Sequence, residues 1–415
     1  MDKRRLNSIL FVCAMLVFSV FVLSACGSAA NSIVSIEKTA TNGLVDTYTI
    51  TYSNGTTGTF TITNGKDGVD GDTGLTPTAN GLLFAENGET ASVVDYIGSG
   101  VAVEIPSQYN GKPVTAIANN AFNGKTHVKQ IIIPDTVTSI GDFAFNNCSG
   151  LGYIALPDSV TTLGYSAFNN CTALSTVNLS SGLTEIGERA FANCSNLPGI
   201  TIPDGVLSLP GGIFSGCGNL NSITMPYNFT LPIGYLFGTM SYTGAVNVSQ
   251  PTITYYIPTV LRTINITAAT EIPDYAFYGC TNLTSVSLPD NLTSIGRQAF
   301  QSCLGLKFMK LPANLESISL SLFNNCINLN SIVLPRSVTV INTGAFQGCR
   351  LSWIYYGGAN RAEWDTIEIV ESGNDPLSAG ITIYYYSETQ PTAEMTGNYW
   401  HYVGAVPTIW AKNNA

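Results

Sequence analysis

Residues 276–289 read Ala276-Phe277-Tyr278-Gly279-Cys280-Thr281-Asn282-Leu283-Thr284-Ser285-Val286-Ser287-Leu288-Pro289. Leu283, Val286 and Leu288 have the spacing of side chains that point inward from a short strand, and Pro289, which has no N–H to donate, ends its pairing. A second extended piece runs from Leu292 to Ile295, and Gly296 is expected to turn the chain. Ile295, Ala299, Phe300 and Cys303 then fall at i, i+4, i+5 and i+8, which predicts one face of a short helix.

The same text recurs on both sides. Cys148, Cys171, Cys194 and Cys217 are 23 residues apart, and so are Cys280, Cys303, Cys326 and Cys349. Phenylalanine carries the register further, from Phe122 through Phe145, Phe168, Phe191 and Phe214 to Phe237, then from Phe277 through Phe300 and Phe323 to Phe346. The one break, between Phe237 and Phe277, is a period plus a 17-residue insertion that carries Tyr242, Tyr255 and Tyr256. A single coil of this kind cannot bury its apolar face, whereas stacked coils can. The fold class expected is therefore an α/β repeat solenoid with a parallel sheet along one side and a continuous Leu/Ile/Phe/Cys core.

The repeat Ile-Gly-x-x-Ala-Phe-x-x-Cys-x-x-Leu-x-x-Ile/Val-x-Leu-Pro resembles the BspA-like leucine-rich repeat proteins of bacterial surfaces, over roughly residues 81–415. The resemblance implies a leucine-rich repeat fold and display on the cell surface, with adhesion to host proteins or other cells in some members. It carries over no binding residue. Departures from the pattern are Lys125 and Met240 at the cysteine position and Ser180 at the proline position.

Upstream of the repeats, Lys3-Arg4-Arg5 precede an uncharged apolar run from Ile9 to Leu23, too short for a comfortable membrane span. Leu23-Ser24-Ala25-Cys26 resembles the lipobox of bacterial lipoproteins, which implies cleavage before Cys26, lipidation of its thiol and anchoring outside the bacterial cell membrane by two acyl chains. The expected organisation is a signal peptide at 1–25, a lipidated tether at 26–31, a small N-terminal β-sheet domain at 32–64, a collagen-like Gly-X-Y spacer at 65–80, the solenoid at 81–350 and an aromatic-rich cap at 351–415. All four tryptophans, Trp353, Trp364, Trp400 and Trp410, lie in the last of these, where they suit either the core of an end cap or a glycan site.

Composition narrows the function. Of the 415 residues, 45% are hydrophobic, enough for a sizeable core, while 11% are charged and the net charge is −10. A nucleic-acid partner is not expected of so acidic a chain. Its histidines are His127 and His401, one in the first coil and one in the last segment, so a histidine-based catalytic site or a two-histidine metal site would have to join opposite ends of the solenoid. No catalytic residue, metal site or cofactor is expected. Asp135, Asp158, Asp204 and Asp290 each follow a proline, where aspartate is a favoured turn residue, although a carboxylate ladder also suits calcium. The repeat cysteines are expected to be buried free thiols, because Lys125 and Met240 stand at the same position and a required bridge would not allow that.

The candidate site is the outward face of the strands. Its partner-binding residues are Lys129, Tyr153, Arg262, Lys307, Phe308, Lys310, Trp353 and Tyr355, in a register with four cations and no anions. The insertion leaves the coil close to Arg262 and is expected to wall one side of this site. The reading is a monomeric, lipid-anchored surface protein that binds an extracellular protein or glycan without catalysis. The alternative is a structural protein that organises the cell envelope.

Overall fold

One circuit of the chain takes 23 residues because two extended segments and one turn segment close on themselves, and every segment then hydrogen-bonds to its copy in the next coil. The computed structural model describes residues 33–42, 45–52, 57–63, 78, 80–227, 230–250, 253–370, 372–378, 380–392, 395 and 397–411. The chain divides into two units, Met1–Leu75 and Thr76–Ala415. In the first, Ile33–Asn42, Val45–Tyr52 and Thr57–Thr63 form an antiparallel sheet in that order. The signal peptide, Cys26 with its tether, and the Gly-X-Y triplets from Gly65 to Thr76 lie outside the described residues.

In the second unit the first extended segment of each coil is a strand of three to five residues. Gly199–Thr201, Ser222–Met225, Thr263–Ile266 and Ser285–Ser287 pair in parallel, with Ser222 opposite Thr263, so the ladder crosses the insertion intact. Phe308–Lys310, Ser331–Leu334, Trp353–Tyr356 and Thr382–Tyr386 continue in the same sense. The parallel rungs thus run past residue 350, and two of them lie within the aromatic-rich C-terminal segment. The centre of each three-residue strand is buried and its flanks face outward, as in Ser285, Val286 and Ser287. The second extended segment makes a narrower parallel ladder of its own, for example Ser139–Ile140, Thr162–Leu163 and Glu185–Ile186. Strand pairing therefore occupies two sides of the coil.

The third side corrects the helical expectation. Gln298 and Ser302, two residues before and two after Phe300, have φ of 55° and 60°, and the same pair of positions is left-handed at Ser166 and Asn170 and at Ser321 and Asn325. An α-helix cannot pass through such residues. Their amides are satisfied across coils instead: Gln298 donates to Leu320 O at 3.0 Å, Phe300 to Leu322 O at 3.0 Å and Ser302 to Asn324 O at 2.8 Å. The leucine-rich repeat fold is present, with turns in place of helices; among the described residues the α-helices are Arg361–Trp364 and Asp375–Ser378, four residues each.

Gly296 is likewise better explained by close approach than by turning, since a Cβ there would sit 2.3 Å from Asp274 N of the preceding coil. At Gly187 the corresponding distance, to Tyr165 N, is 2.4 Å.

Inside, the ten repeat phenylalanines are fully buried. Phe145, Phe168 and Phe191 stack at 4.9 and 5.5 Å between centroids, and Tyr96, from the N-terminal hairpin Leu82–Asn87/Thr90–Tyr96, extends the stack by lying 5.6 Å from Phe122. The residue that departs from the cysteine pattern in the first coil, Lys125, pairs with Asp95 of that hairpin at 2.9 Å.

The eight repeat cysteines are free and buried. Each Sγ in the regular coils donates to the carbonyl of the phenylalanine 26 residues earlier, as Cys171 does to Phe145 and Cys303 to Phe277, both at 3.2 Å. Burial pushes the Cys217 thiol up to about 12, so it stays a neutral donor.

Candidate functional site: the outer strand face

The strand register sets the predicted residues in rows. Gln130, Tyr153, Thr176, Gly199, Ser222, Thr263, Ser285 and Phe308 recur at the first outward position, and Ile132, Ala155, Asn178, Thr201, Thr224, Asn265, Ser287 and Lys310 at the second. Lys129, Arg262 and Lys307 stand just before their strands. Over most of its length this face is a shelf of small hydroxyl and amide groups bonded to one another: Asn265 Nδ2 donates to Thr224 Oγ1 at 3.2 Å and Ser287 Oγ to Asn265 Oδ1 at 3.0 Å. Tyr153, 41% exposed, stands near one end of the shelf and Phe308, 38% exposed, at the other.

Two of the predicted cations are already engaged. Arg262 Nη1 donates to Thr259 O at 2.7 Å and Leu261 O at 3.3 Å, which folds the guanidinium back on its own turn. Lys310 Nζ lies 3.6 Å from Asp290 Oδ1 and 5.6 Å from the centroid of Tyr402. Lys129 and Lys307 are exposed.

Tyr355 is not available as a contact residue. The C-terminal hairpin, Tyr399–Val403 paired antiparallel with Val406–Ile409, starts as the next parallel rung, with Trp400 opposite Tyr386, and then folds back across the outer face. Trp400, 1% exposed, lies 5.5 Å from Tyr355 and donates from Nε1 to Tyr356 O at 2.8 Å. Tyr402, from the far side of the sheet, reaches Lys310 on its opposite edge strand. Val333, Tyr355 and Trp400 thereby form a second apolar cluster on the outside of the sheet, with Trp353, Tyr384 and Tyr386 packed against it. Tyr355 is left 8% exposed and Trp353 half-buried. The edge that the hairpin presents is blunted by Pro407, which has no N–H for a further strand.

The insertion does not wall this face. Its strands Ala245–Ser249 and Thr254–Pro258 form a hairpin against the turn side of the coil, where Tyr255 packs on Gly234 and Val248 on Gly279. Tyr242 Oη donates to Tyr256 O at 3.0 Å.

Two of the Pro-Asp carboxylates tie coils together by hydrogen bonds. Asp158 Oδ1 accepts from Ser181 N at 3.1 Å and Ser181 Oγ at 2.8 Å, which hold its carboxyl below the usual range, and Asp204 accepts from Thr267 Oγ1. Among the described residues no three His, Cys, Asp or Glu side chains gather as a metal ion would require. His127 bonds Gly98 O at 3.1 Å beside the first coil, and His401 packs 3.7 Å from Trp410 in the last hairpin. Sequence reasoning missed Asp290 and Tyr402 as neighbours of Lys310. The signal for Asp290 was there in the period, because it stands three residues after Ser287, which is one 23-residue period before Lys310.

Stacked 23-residue coils with an inward Leu/Ile/Phe/Cys core and an outward strand face define a leucine-rich repeat solenoid. The chain belongs to the family described as the BspA type leucine rich repeat region, whose sequence profile matches residues 115–241 and 254–362 in six copies. It is similar to the leucine-rich repeat protein of T. pallidum, at 25% identity over 56% of this chain and 91% of that one, with a TM-score of 0.38. A leucine rich cell surface protein of Faecalibacterium prausnitzii is 26% identical over 70% and 97% of the two chains, with a TM-score of 0.34. The pneumococcal vaccine antigen PcpA is 20% identical over 76% and 94%, with a TM-score of 0.32. Among curated proteins, none matches the chain.

Proposed function

We propose that this chain is a lipid-anchored, surface-displayed recognition protein that binds an extracellular protein or glycan through its outer strand face, without catalysis. One observation carries the reading. The core fixes the inward residue of every strand, whereas the outward rows from Gln130 to Phe308 are mostly open to solvent and vary from coil to coil. A rigid array of exposed side chains on a shared scaffold suits a binding surface, because little entropy is lost when it engages a partner. Arg262 and Lys310 are already engaged while Lys129 and Lys307 are exposed, so salt acts on recognition here chiefly through the latter two.

The test is binding of the purified chain to host cells and matrix against binding to the producer's own wall polymer. Reversible binding to the former supports recognition; retention on the wall polymer alone supports the envelope-organising alternative. Thr176→Arg with Ser285→Arg, both at exposed outward positions, should abolish binding with the melting temperature unchanged, whereas Glu188→Arg on the turn side should leave it intact. The opposite pattern moves the site off the strand face. Anchoring rests on Cys26: Cys26→Ala should end fatty-acid labelling and membrane pelleting, and a variant still labelled removes the lipoprotein part of the proposal.

A further inference from the structure

Where the strand face emerges from beneath the C-terminal hairpin, the molecule has a ledge whose chemistry differs from the rest of the shelf. Phe308 presents its ring at 38% exposure two residues along the strand from Lys310, whose Nζ lies 5.6 Å from the centroid of Tyr402, 37% exposed, on the hairpin. Lys310 Nζ also lies 3.6 Å from Asp290 Oδ1, and the carboxylate side chain is 82% exposed. The floor continues into Ser287 and Asn265, hydroxyl and amide joined at 3.0 Å. An aromatic face, a carboxylate that accepts hydrogen bonds, an ammonium that donates them and a hydroxyl floor thus converge on one small area.

We infer that this ledge binds a neutral pyranose unit of a glycan, its apolar ring face on Phe308 and its hydroxyls shared between Asp290 and Lys310. A pyranose has these two surfaces: a C–H face that an aromatic ring desolvates and an equatorial rim of hydroxyls that both donate and accept. The Lys310–Asp290 pair has no net charge, so an acidic or basic occupant gains nothing from it that water does not supply, whereas a hydroxyl can donate to one partner and accept from the other. Tyr402 limits how far the sugar extends toward the hairpin, leaving the chain direction along the uncharged shelf. The ledge arises only because the hairpin folds back across the sheet, which brings Tyr402 to Lys310, 92 residues earlier in the sequence.

The inference rests on the recognition reading above and commits it to a glycan. It is tested by titrating the full chain with a panel of neutral oligosaccharides of glucose, galactose and N-acetylglucosamine, followed by calorimetry and aromatic fluorescence. Saturable binding to a member of the panel is expected, changing by no more than about twofold between low and high salt. Phe308→Ala and Asp290→Asn should each weaken it on the order of tenfold or more, with unchanged circular dichroism. Gln130→Ala, at the far end of the face, should leave it unchanged. No binding across the panel, wild-type affinity in Phe308→Ala, or binding that collapses with salt overturns the inference. If the outer face binds a protein partner in the preceding test while the panel is silent, the glycan assignment falls and the recognition reading stands.

Discussion

The thiol ladder makes the solenoid unusually sensitive to alkali. In the fold, burial holds the thiols of Cys148, Cys217, Cys280 and Cys326 neutral to about pH 12, while in the unfolded chain a cysteine ionises near pH 8.5. A folded pKa above the unfolded one gives stability that is fully present below about pH 8.5 and is lost as pH rises toward the folded value. The slope is about 1.4 kcal/mol per pH unit for each thiol. For the eight buried thiols it reaches about 11 kcal/mol per unit, comparable with the whole stability of an ordinary domain.

The measurement is the guanidinium midpoint of unfolding, by far-UV circular dichroism under a reductant, at intervals from pH 7 to 10.5. The midpoint should be level to about pH 8.5 and then fall steeply. Tyrosine and lysine also titrate in that range, so the comparison is with Cys171→Ala/Cys303→Ala. That variant loses some stability at pH 7 through lost packing, yet its alkaline slope should be shallower by about 3 kcal/mol per unit, two thiols' worth. An unchanged slope refutes the burial argument. So does rapid modification of the native thiols by Ellman's reagent at pH 8, or fewer than eight repeat thiols titrating in denaturant without reductant, which would mean bridged coils.

Phe168→Ala removes a fully buried ring stacked between Phe145 and Phe191 and should cost about 3–5 kcal/mol in chemical denaturation; a loss under 1 kcal/mol would mean that the coils collapse around the gap. Gly187→Ala should cost about 1–3 kcal/mol, because the new Cβ would sit 2.4 Å from Tyr165 N and must force two coils apart. Gly212→Ala meets only ordinary contacts at 3.8 Å and carries just the left-handed backbone cost of about 1 kcal/mol, so equal losses at the two sites would contradict the close-approach argument. Trp400→Ala should release the hairpin's hold on the sheet, measured as faster hydrogen exchange through Tyr399–Val403.

The period, the inward residues and the strand register were legible in the sequence because each was repeated about ten times, and repetition averages out the ambiguity of any single coil. The turn segment was misread for a physical reason: Ile295, Ala299, Phe300 and Cys303 have helical spacing, but that spacing also arises when two left-handed residues wind the chain tightly. A usable signal was present in the residue before each repeat cysteine, which is Asn147, Asn170, Asn193, Gly216, Gly279, Ser302, Asn325 and Gly348 in turn, residue types that enter left-handed backbone at low cost or bond locally there. The fate of Tyr355 was illegible. It depends on a hairpin that occurs once, and no period reports a contact made once.

That distinction also locates the chemistry. In each coil the phenylalanine, cysteine, leucine and close-approach glycine are committed to packing, and the turn residues are committed by their backbone angles and cross-coil bonds, so a change there is felt as lost stability. The outward strand positions carry no such obligation, and along most of the face they hold small polar groups. Ile132 and Tyr153 depart from this near one end, and at the other the rung at Phe308 and Lys310 sets an exposed aromatic and a charged pair together beside the only hairpin, among the described residues, that crosses the sheet. Met309 fills the core on this strand, so the exposed part of Phe308 is open to a partner in the proposed reading. What all coils share builds the scaffold, and what one coil alone displays is where a partner can be told apart from water.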